Sequence, residues 1–381
     1  MKKVAIITRK MITGGVEKAL LSLLKELDMT SIEVDLYLES EGGDLFTQIP
    51  KWVNIKKIPN NTNNIKYITS HPYQFCKIII SKLKIRKEKN YIKQCELTSK
   101  CLPKIETKYD IAISYHAPNT VPVFYTLNNI NADKKVLWLH GDIITNNCNN
   151  KSMYKYYEGY DKIFCVSKYI KETFDKYFPR LSKKTEVFYN FIDVEKLEEL
   201  SSEGSSFNDN FEGTRILTIG RLDYQKGYDL AVKACSKLKK DRYNIRWYVC
   251  GEGNSRAEIE QLINTYNLQN EFILLGNQEN PYRYLKDCDL YIQTSRYEGY
   301  CTTTNEARVF GKAIITTNVS GANEQFENEK TGLIVDIDTE SIYKNIRLLL
   351  DNPKKKNQIE YNLKQSFKKE ETDINKLIDL F

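Results

Sequence analysis

The chain alternates strand-like and helix-like segments, breaks at a polar stretch, and then starts the same alternation again. Val4–Thr8 is a short apolar run, and Gly14–Leu27 behind it carries apolar residues at helical spacing. Ile32–Leu38 alternates with period two, and strand-like runs recur at Ile111–Ser114, Lys135–Leu139 and Lys162–Val166. Ser201–Gly213 is polar and rich in Gly, Ser and Asn, which reads as a linker or loop. Beyond it come Arg215–Ile219, Ile245–Cys250, Glu271–Leu275, Leu290–Gln293, Ala313–Thr317 and Gly332–Val335, with helical stretches between. Strands separated by helices predict parallel sheets covered on both faces. At 381 residues the chain exceeds one ordinary core, so two doubly wound α/β domains are expected to face a central cleft. The expected bounds are 1–200, a linker at 201–213, and 214–360. The stretch Asn357–Phe381 reads as charged helix, with 361–381 expected to pack back on the first domain.

Composition narrows the class. Apolar residues make up 41% and charged residues 28%, as in a soluble globular protein, and no apolar run is long enough to span a membrane. The apolar stretch after Lys2 and Lys3 is too short for a signal peptide and reads as a first strand, so a cytoplasmic location is expected. Nine Cys lack any Cys-x-x-Cys pair and only three His occur, which predicts reduced thiols and no protein-held metal. The net charge of +7 is uneven: Lys77–Lys93 holds seven Lys or Arg, including Lys82, Lys84, Arg86 and Lys87, against the single acid Glu88. That stretch predicts a basic amphipathic helix, either docked on its own domain or set against an anionic membrane surface. No recognised nucleic-acid module accompanies the charge, so nucleic acid is not an expected partner.

The chemistry concentrates in loops that follow strands. Ser295–Ala307 holds two carboxylates eight positions apart, Glu298 in a glycine-bearing turn and Glu306 inside a helix. Strand, tight turn and helix start are where α/β proteins place ligands, and the helix N-terminus suits an anion. Gly220-Arg221-Leu-Asp-Tyr-Gln-Lys226-Gly227 puts two cations in another such loop, suited to a pyrophosphate or simply to a solvated turn. Gly14-Gly15 lies between a strand and a helix, as a close-approach site or a plain turn. His140 ends a strand, as a structural residue or one that assists proton transfer. Asp287-Cys-Asp289 has the look of a metal motif, but it connects a helix to the start of a strand, the wrong edge of the sheet.

Taken in order, Gly14-Gly-Val-Glu17, Val166-Ser167, Asn190-Phe-Ile-Asp193, Gly220-Arg-Leu…Lys226-Gly227, Gly251-Glu-Gly253, Asn280-Pro-Tyr…Asp289 and Glu298-x7-Glu306 resemble retaining glycosyltransferases of family 4, with the GT-B fold. They cover about residues 4 to 335. The region from Tyr300 to Gln325 most resembles bacterial enzymes that build capsular and other cell-surface polysaccharides.

The resemblance implies transfer of a hexose or N-acetylhexosamine from a nucleoside-diphosphate sugar, UDP-linked by prevalence, to a lipid-linked or polysaccharide acceptor. Arg221 and Lys226 would neutralise the diphosphate, Glu298 would contact the sugar, and His140 would lie beside it. Glu306 would bind ribose, and backbone N–H groups of Gly299, Tyr300, Cys301, Thr302 and Thr303 would hold sugar and phosphate. Gly15 would approach the phosphate. No metal or cofactor would be needed, and a lipid-linked acceptor would give the basic helix a peripheral role on the inner face of the membrane. Cys301, Thr302–Thr304 and Phe191 depart from the residues more usual in such motifs. A competing expectation keeps the fold in a catalytically silent subunit that binds carbohydrate or a partner glycosyltransferase.

Overall fold

The computed structural model describes residues 2–28, 32–58, 83–367 and 373–381. The chain divides into two compact units, Met1–Phe191 with Thr372–Phe381, and Ile192–Glu371.

Among its described residues the first unit carries seven parallel strands: β1 (Lys3–Thr8), β2 (Glu33–Leu38), β3 (Asn54–Lys57), β4 (Ile105–Ala117), β5 (Ile130–Leu139), β6 (Lys162–Cys165) and β7 (Thr185–Val187). Their order is β3-β2-β1-β4-β5-β6-β7. Ala5 of β1 therefore pairs with Asp35 on one side and Ala112 on the other. Val4 to Ile7 have no exposed surface, because helices cover both faces of a parallel sheet. Ser167 starts the helix Lys168–Tyr177, its side chain accepting from Ile170 N at 3.1 Å.

Among its described residues the second unit carries six parallel strands, β8 (Thr214–Ile219), β9 (Ile245–Cys250), β10 (Phe272–Gly276), β11 (Leu290–Gln293), β12 (Ala313–Thr317) and β13 (Leu333–Val335), ordered β10-β9-β8-β11-β12-β13. Ile216 and Leu217, adjacent on β8, enter two different hydrophobic clusters, which is the period-two signature of a strand buried on both faces. In each unit the order reverses at one place, between β1 and β4 and between β8 and β11. Ligands of open α/β sheets bind beyond the carboxyl ends of the strands at such a reversal.

Three segments differ from the sequence-based expectation. Val194–Ser201 lies in the second unit, where Asn280 Nδ2 donates to Leu200 O at 2.6 Å. The polar stretch before β8 is fastened by Asp209, which pairs with Arg215 at 2.7 Å and Arg246 at 2.8 Å and accepts from the Tyr248 hydroxyl. Burial would raise the Asp209 pKa, but those three donors outweigh it and hold it well below the usual carboxylate range. The charged C-terminal stretch is not one helix: Pro353–Ser366 ends before Asn375–Ile378 begins. In the first unit Leu377 is buried, and Lys376 Nζ donates to Val187 O of the edge strand β7 at 2.9 Å.

Candidate active site

The loop after β8 is shaped to return a lysine toward β11. Asp223 accepts from Lys226 N at 3.2 Å and starts the short turn Tyr224–Lys226. Gly227 ends it at φ +66°, with Thr294 O where a Cβ would stand, so only glycine fits without strain. The Lys226 ammonium then lies 2.7 Å from Glu298 Oε1, with the two side chains only 13% and 9% exposed. Gly220 leaves room for the lysine stem, since a Cβ there would sit 3.2 Å from Lys226 Cε. Burial alone would lower the Lys226 pKa, but the Glu298 carboxylate outweighs it and the net shift is upward, which keeps this lysine a cation.

Glu298 is also held from β11. Ser295 Oγ donates to Glu298 Oε1 at 2.6 Å, and Gln293 Nε2 donates to Ser295 Oγ at 2.8 Å. Gln293 Oε1 accepts from Tyr291 at 2.9 Å and from Thr303 at 3.3 Å. Gln225 Nε2 reaches Glu298 Oε2 at 3.4 Å. Gln293, Ser295 and Glu298 thus each have partners in one hydrogen-bonded series, which makes the pair rigid rather than merely buried.

The turn after Glu298 leads through Gly299 and the buried Tyr300 and Cys301 into the helix Thr302–Val309. Cys301 makes no side-chain cap; its carbonyl accepts from Gln325 Nε2 at 2.8 Å and Thr304 Oγ1 at 2.9 Å. Burial, then the Glu298 charge, pushes the Cys301 thiol upward, away from thiolate chemistry. The first N–H groups of this helix, at Thr302 and Thr303, have no intrahelical acceptor and carry the positive end of its dipole. Glu306 lies in the same helix, buried, with Oε1 accepting from the Tyr282 hydroxyl at 3.2 Å. Among the described residues Arg221, 62% exposed, forms an ion pair with Asp223 alone, at 3.4 Å. An exposed pair of that kind is weak, so the guanidinium is easily recruited by an anion. Asp287 and Asp289 are engaged elsewhere, by Ser206 Oγ at 2.6 Å and Arg215 N at 2.7 Å.

The first unit has its own cluster at the β1–β4 reversal. Gly15 opens the helix Gly15–Asp28, and Glu17 in its first turn is buried. His116 Nδ1, near the end of β4, lies 3.8 Å from Glu17 Oε1. His140 follows β5 with its ring centroid 4.6 Å from that of Tyr115, and its Nε2 is buried without a hydrogen-bond partner among the described residues. Burial, helped by His116, holds the His140 pKa well below 6.5, so the imidazole is neutral and can exchange a hydrogen bond with a hydroxyl. The sequence reading singled out Gly15 and His140 but not His116, although His116 has the same strand-end placement as His140.

The expected basic helix at 77–93 is not continuous. Residues 77–82, Lys82 among them, lie outside the described residues. A helical turn at 83–87 carries the exposed Lys84, Arg86 and Lys87, and the chain leaves the helix at 88–90. Asn90 then caps Tyr91–Cys101, accepting from Lys93 N at 3.1 Å, while Glu88 accepts from Asn90 N at 3.0 Å. These side-chain acceptors replace backbone ones, which ends one helix and starts another. Among the described residues no helix is long and apolar enough to cross a membrane, and no three His, Cys, Asp or Glu side chains gather as a metal-holding group.

The arrangement in the second unit suits an anion beside hydroxyls: two cations, a helix N-terminus and two fixed carboxylates. The profile of Glycosyltransferase Family 4 matches residues 13–196, and that of Glycosyl transferases group 1 matches 205–366. A Campylobacter jejuni N-acetylgalactosamine-N,N'-diacetylbacillosaminyl-diphospho-undecaprenol 4-alpha-N-acetylgalactosaminyltransferase is 33% identical over 174 residues, 45% of this chain and 46% of that protein. An uncharacterized glycosyltransferase of Methanocaldococcus jannaschii is 29% identical over 232 residues, 56% of each chain. The chain thus spans about half the length of these curated relatives. Among solved structures, a glycosyltransferase from Rickettsia africae superposes with a TM-score of 0.67 at 20% identity, over 96% of this chain and 92% of that one. The Anabaena Alr3699/HepE structure in complex with UDP and glucose gives 0.70 at 16%, over 100% and 99%. The chain belongs to the glycosyltransferases of family 4, with the GT-B fold.

Proposed function

We propose that this protein transfers a hexosyl or N-acetylhexosaminyl group from a nucleoside-diphosphate sugar to a lipid-linked or glycan acceptor, with retention of anomeric configuration and without a metal. The observation that carries the reading is the buried Lys226–Glu298 pair at the ends of β8 and β11, with Arg221 in the same loop as the lysine. Lys226, Arg221 and the N-terminus of Thr302–Val309 stabilise negative charge on the departing diphosphate, an electrostatic effect worth several kcal/mol. Glu298 accepts from hydroxyls of the transferred sugar and Glu306 from the ribose. The backbone of Gly299, Tyr300, Cys301, Thr302 and Thr303 holds phosphate and sugar. In the first unit, the neutral His140 contacts a sugar hydroxyl and Gly15 lets a phosphate come close.

In the reaction the bond from the anomeric carbon to the phosphate oxygen breaks and a bond to the acceptor oxygen forms on the same face. The acceptor proton passes to the leaving phosphate oxygen, so no protein base is consumed. UDP is the first donor nucleotide to test, being the commonest for such enzymes. The name of the Campylobacter relative supports a lipid-diphosphate acceptor. A cytoplasmic enzyme working on such an acceptor at an anionic membrane would use Lys84, Arg86 and Lys87. Changing these three to Glu should lower cosedimentation with anionic vesicles, and an unchanged bound fraction would remove them from the contact.

Release of nucleoside diphosphate from a panel of nucleotide sugars, in excess EDTA, tests the reaction. Turnover should collapse in Arg221→Ala, Lys226→Ala and Glu306→Ala. Full activity in all three would sink the assignment.

A further inference from the structure

We propose that Arg296 is a positioning residue that sets the Lys226–Glu298 pair by locking together the two loops that carry it. The proposal rests on the donor-site reading above. Arg296 N donates to Gln225 O at 2.7 Å. Its guanidinium Nη1 donates to Tyr224 O at 2.9 Å, and Nη2 lies 2.9 and 2.8 Å from the two oxygens of Asp229. The guanidinium carbon lies over the Tyr224 ring, 4.2 Å from its centroid. Neighbours extend the seam: Thr294 Oγ1 donates to Lys226 O at 2.8 Å, and Gln225 Nε2 to Tyr297 O at 2.9 Å. Tyr224, Gln225 and Lys226 are therefore each bonded to the segment 294–297, immediately before Glu298.

A plain surface ion pair would explain the contact with Asp229 but not the guanidinium bond to the Tyr224 carbonyl. The Arg296 side chain is 18% exposed, so these bonds are largely shielded from water. Serving a carbonyl, a carboxylate and a ring face together needs a planar fork, which arginine has and lysine lacks. Among the described residues Arg296 makes no hydrogen bond to the Lys226 or Glu298 side chains, so its effect passes through the loop backbones.

The test compares the full-length wild type, Arg296→Met, Arg296→Lys, Lys226→Met and the Arg296→Met/Lys226→Met double variant. Affinity is read with UDP, GDP, ADP and dTDP, turnover with their sugars, and melting temperature alongside. Arg296→Met should lose about 10- to 100-fold in kcat/KM well below its melting temperature, as expected when a reacting group is displaced by about 1 Å. Arg296→Lys should recover only part of that. In the Lys226→Met background the Arg296 change should add less than about threefold, because coupled residues are not additive. Wild-type kcat/KM in Arg296→Met, or losses that multiply in the double variant, would overturn the proposal. Wild-type affinity and turnover in Lys226→Met would instead overturn the donor-site reading, and the positioning role with it.

Discussion

Lys226 Nζ and Glu298 Oε1 stand 2.7 Å apart across 72 positions of sequence, in side chains nearly closed to water. The contact depends on the strand order, because β8 and β11 are neighbours only at the point where the sheet reverses. Breaking a buried pair of this kind leaves an uncompensated charge, which costs about 3–5 kcal/mol. Glu298→Gln should therefore lower stability by that order in urea denaturation, and Lys226→Met/Glu298→Leu should regain much of it. Equal losses in the single and double variants would show that the charges are not coupled.

The hydroxyl of Tyr282 fixes the Glu306 carboxylate at 3.2 Å. Tyr282→Phe keeps the ring and removes only that donor. Nucleoside diphosphate binding should weaken by about 1 kcal/mol, near fivefold, with kcat little changed. A fall in kcat with unchanged affinity would argue that Glu306 acts on the transferred sugar instead.

His140 gives the first unit a pH dependence with a defined sign. Its folded pKa is depressed, mainly by burial and then by His116, while the unfolded chain titrates near 6.5. The unfolded state then binds more protons as the pH falls below 6.5, and the folded state is destabilised. Each pH unit in that window should cost up to about 1.4 kcal/mol, and the loss should end once the pH passes the folded pKa. His140→Gln should flatten the slope of stability against pH between 6.5 and 5; an unchanged slope would place the titration elsewhere.

Gly227 holds a left-handed φ of +66° with the Thr294 carbonyl against it. Gly227→Ala should cost about 1–3 kcal/mol in backbone strain and also shift Lys226, lowering donor turnover. A stable variant with normal turnover would show that the loop relaxes without moving the lysine.

Much of the fold was legible because period-two apolar runs, helical spacing and the polar break before β8 are local patterns. The loops that hold Arg221, Lys226, Glu298 and Glu306 were legible for the same reason, since each follows a strand. Their partners were not. Nothing local pairs Lys226 with Glu298, joins Arg296 to Tyr224, or ties Asp209 to Arg246, because those contacts depend on which strands become neighbours. The basic stretch failed as one helix for a different reason. Its charge and apolar spacing favour helix, but Glu88 and Asn90 supply side-chain acceptors that stop one helix and start the next. The contact between His116 and Glu17 was not legible, because β4 meets the first turn of Gly15–Asp28 only in the folded sheet.

Calorimetric titration of UDP, GDP, ADP and dTDP into wild type, Lys226→Ala and Glu306→Ala, all in EDTA, tests the donor site most directly. At least one nucleotide should bind the wild type, and both variants should lose tenfold or more in affinity for it. Equal affinity in the three proteins, or no binding of any nucleotide by the wild type, would contradict the account.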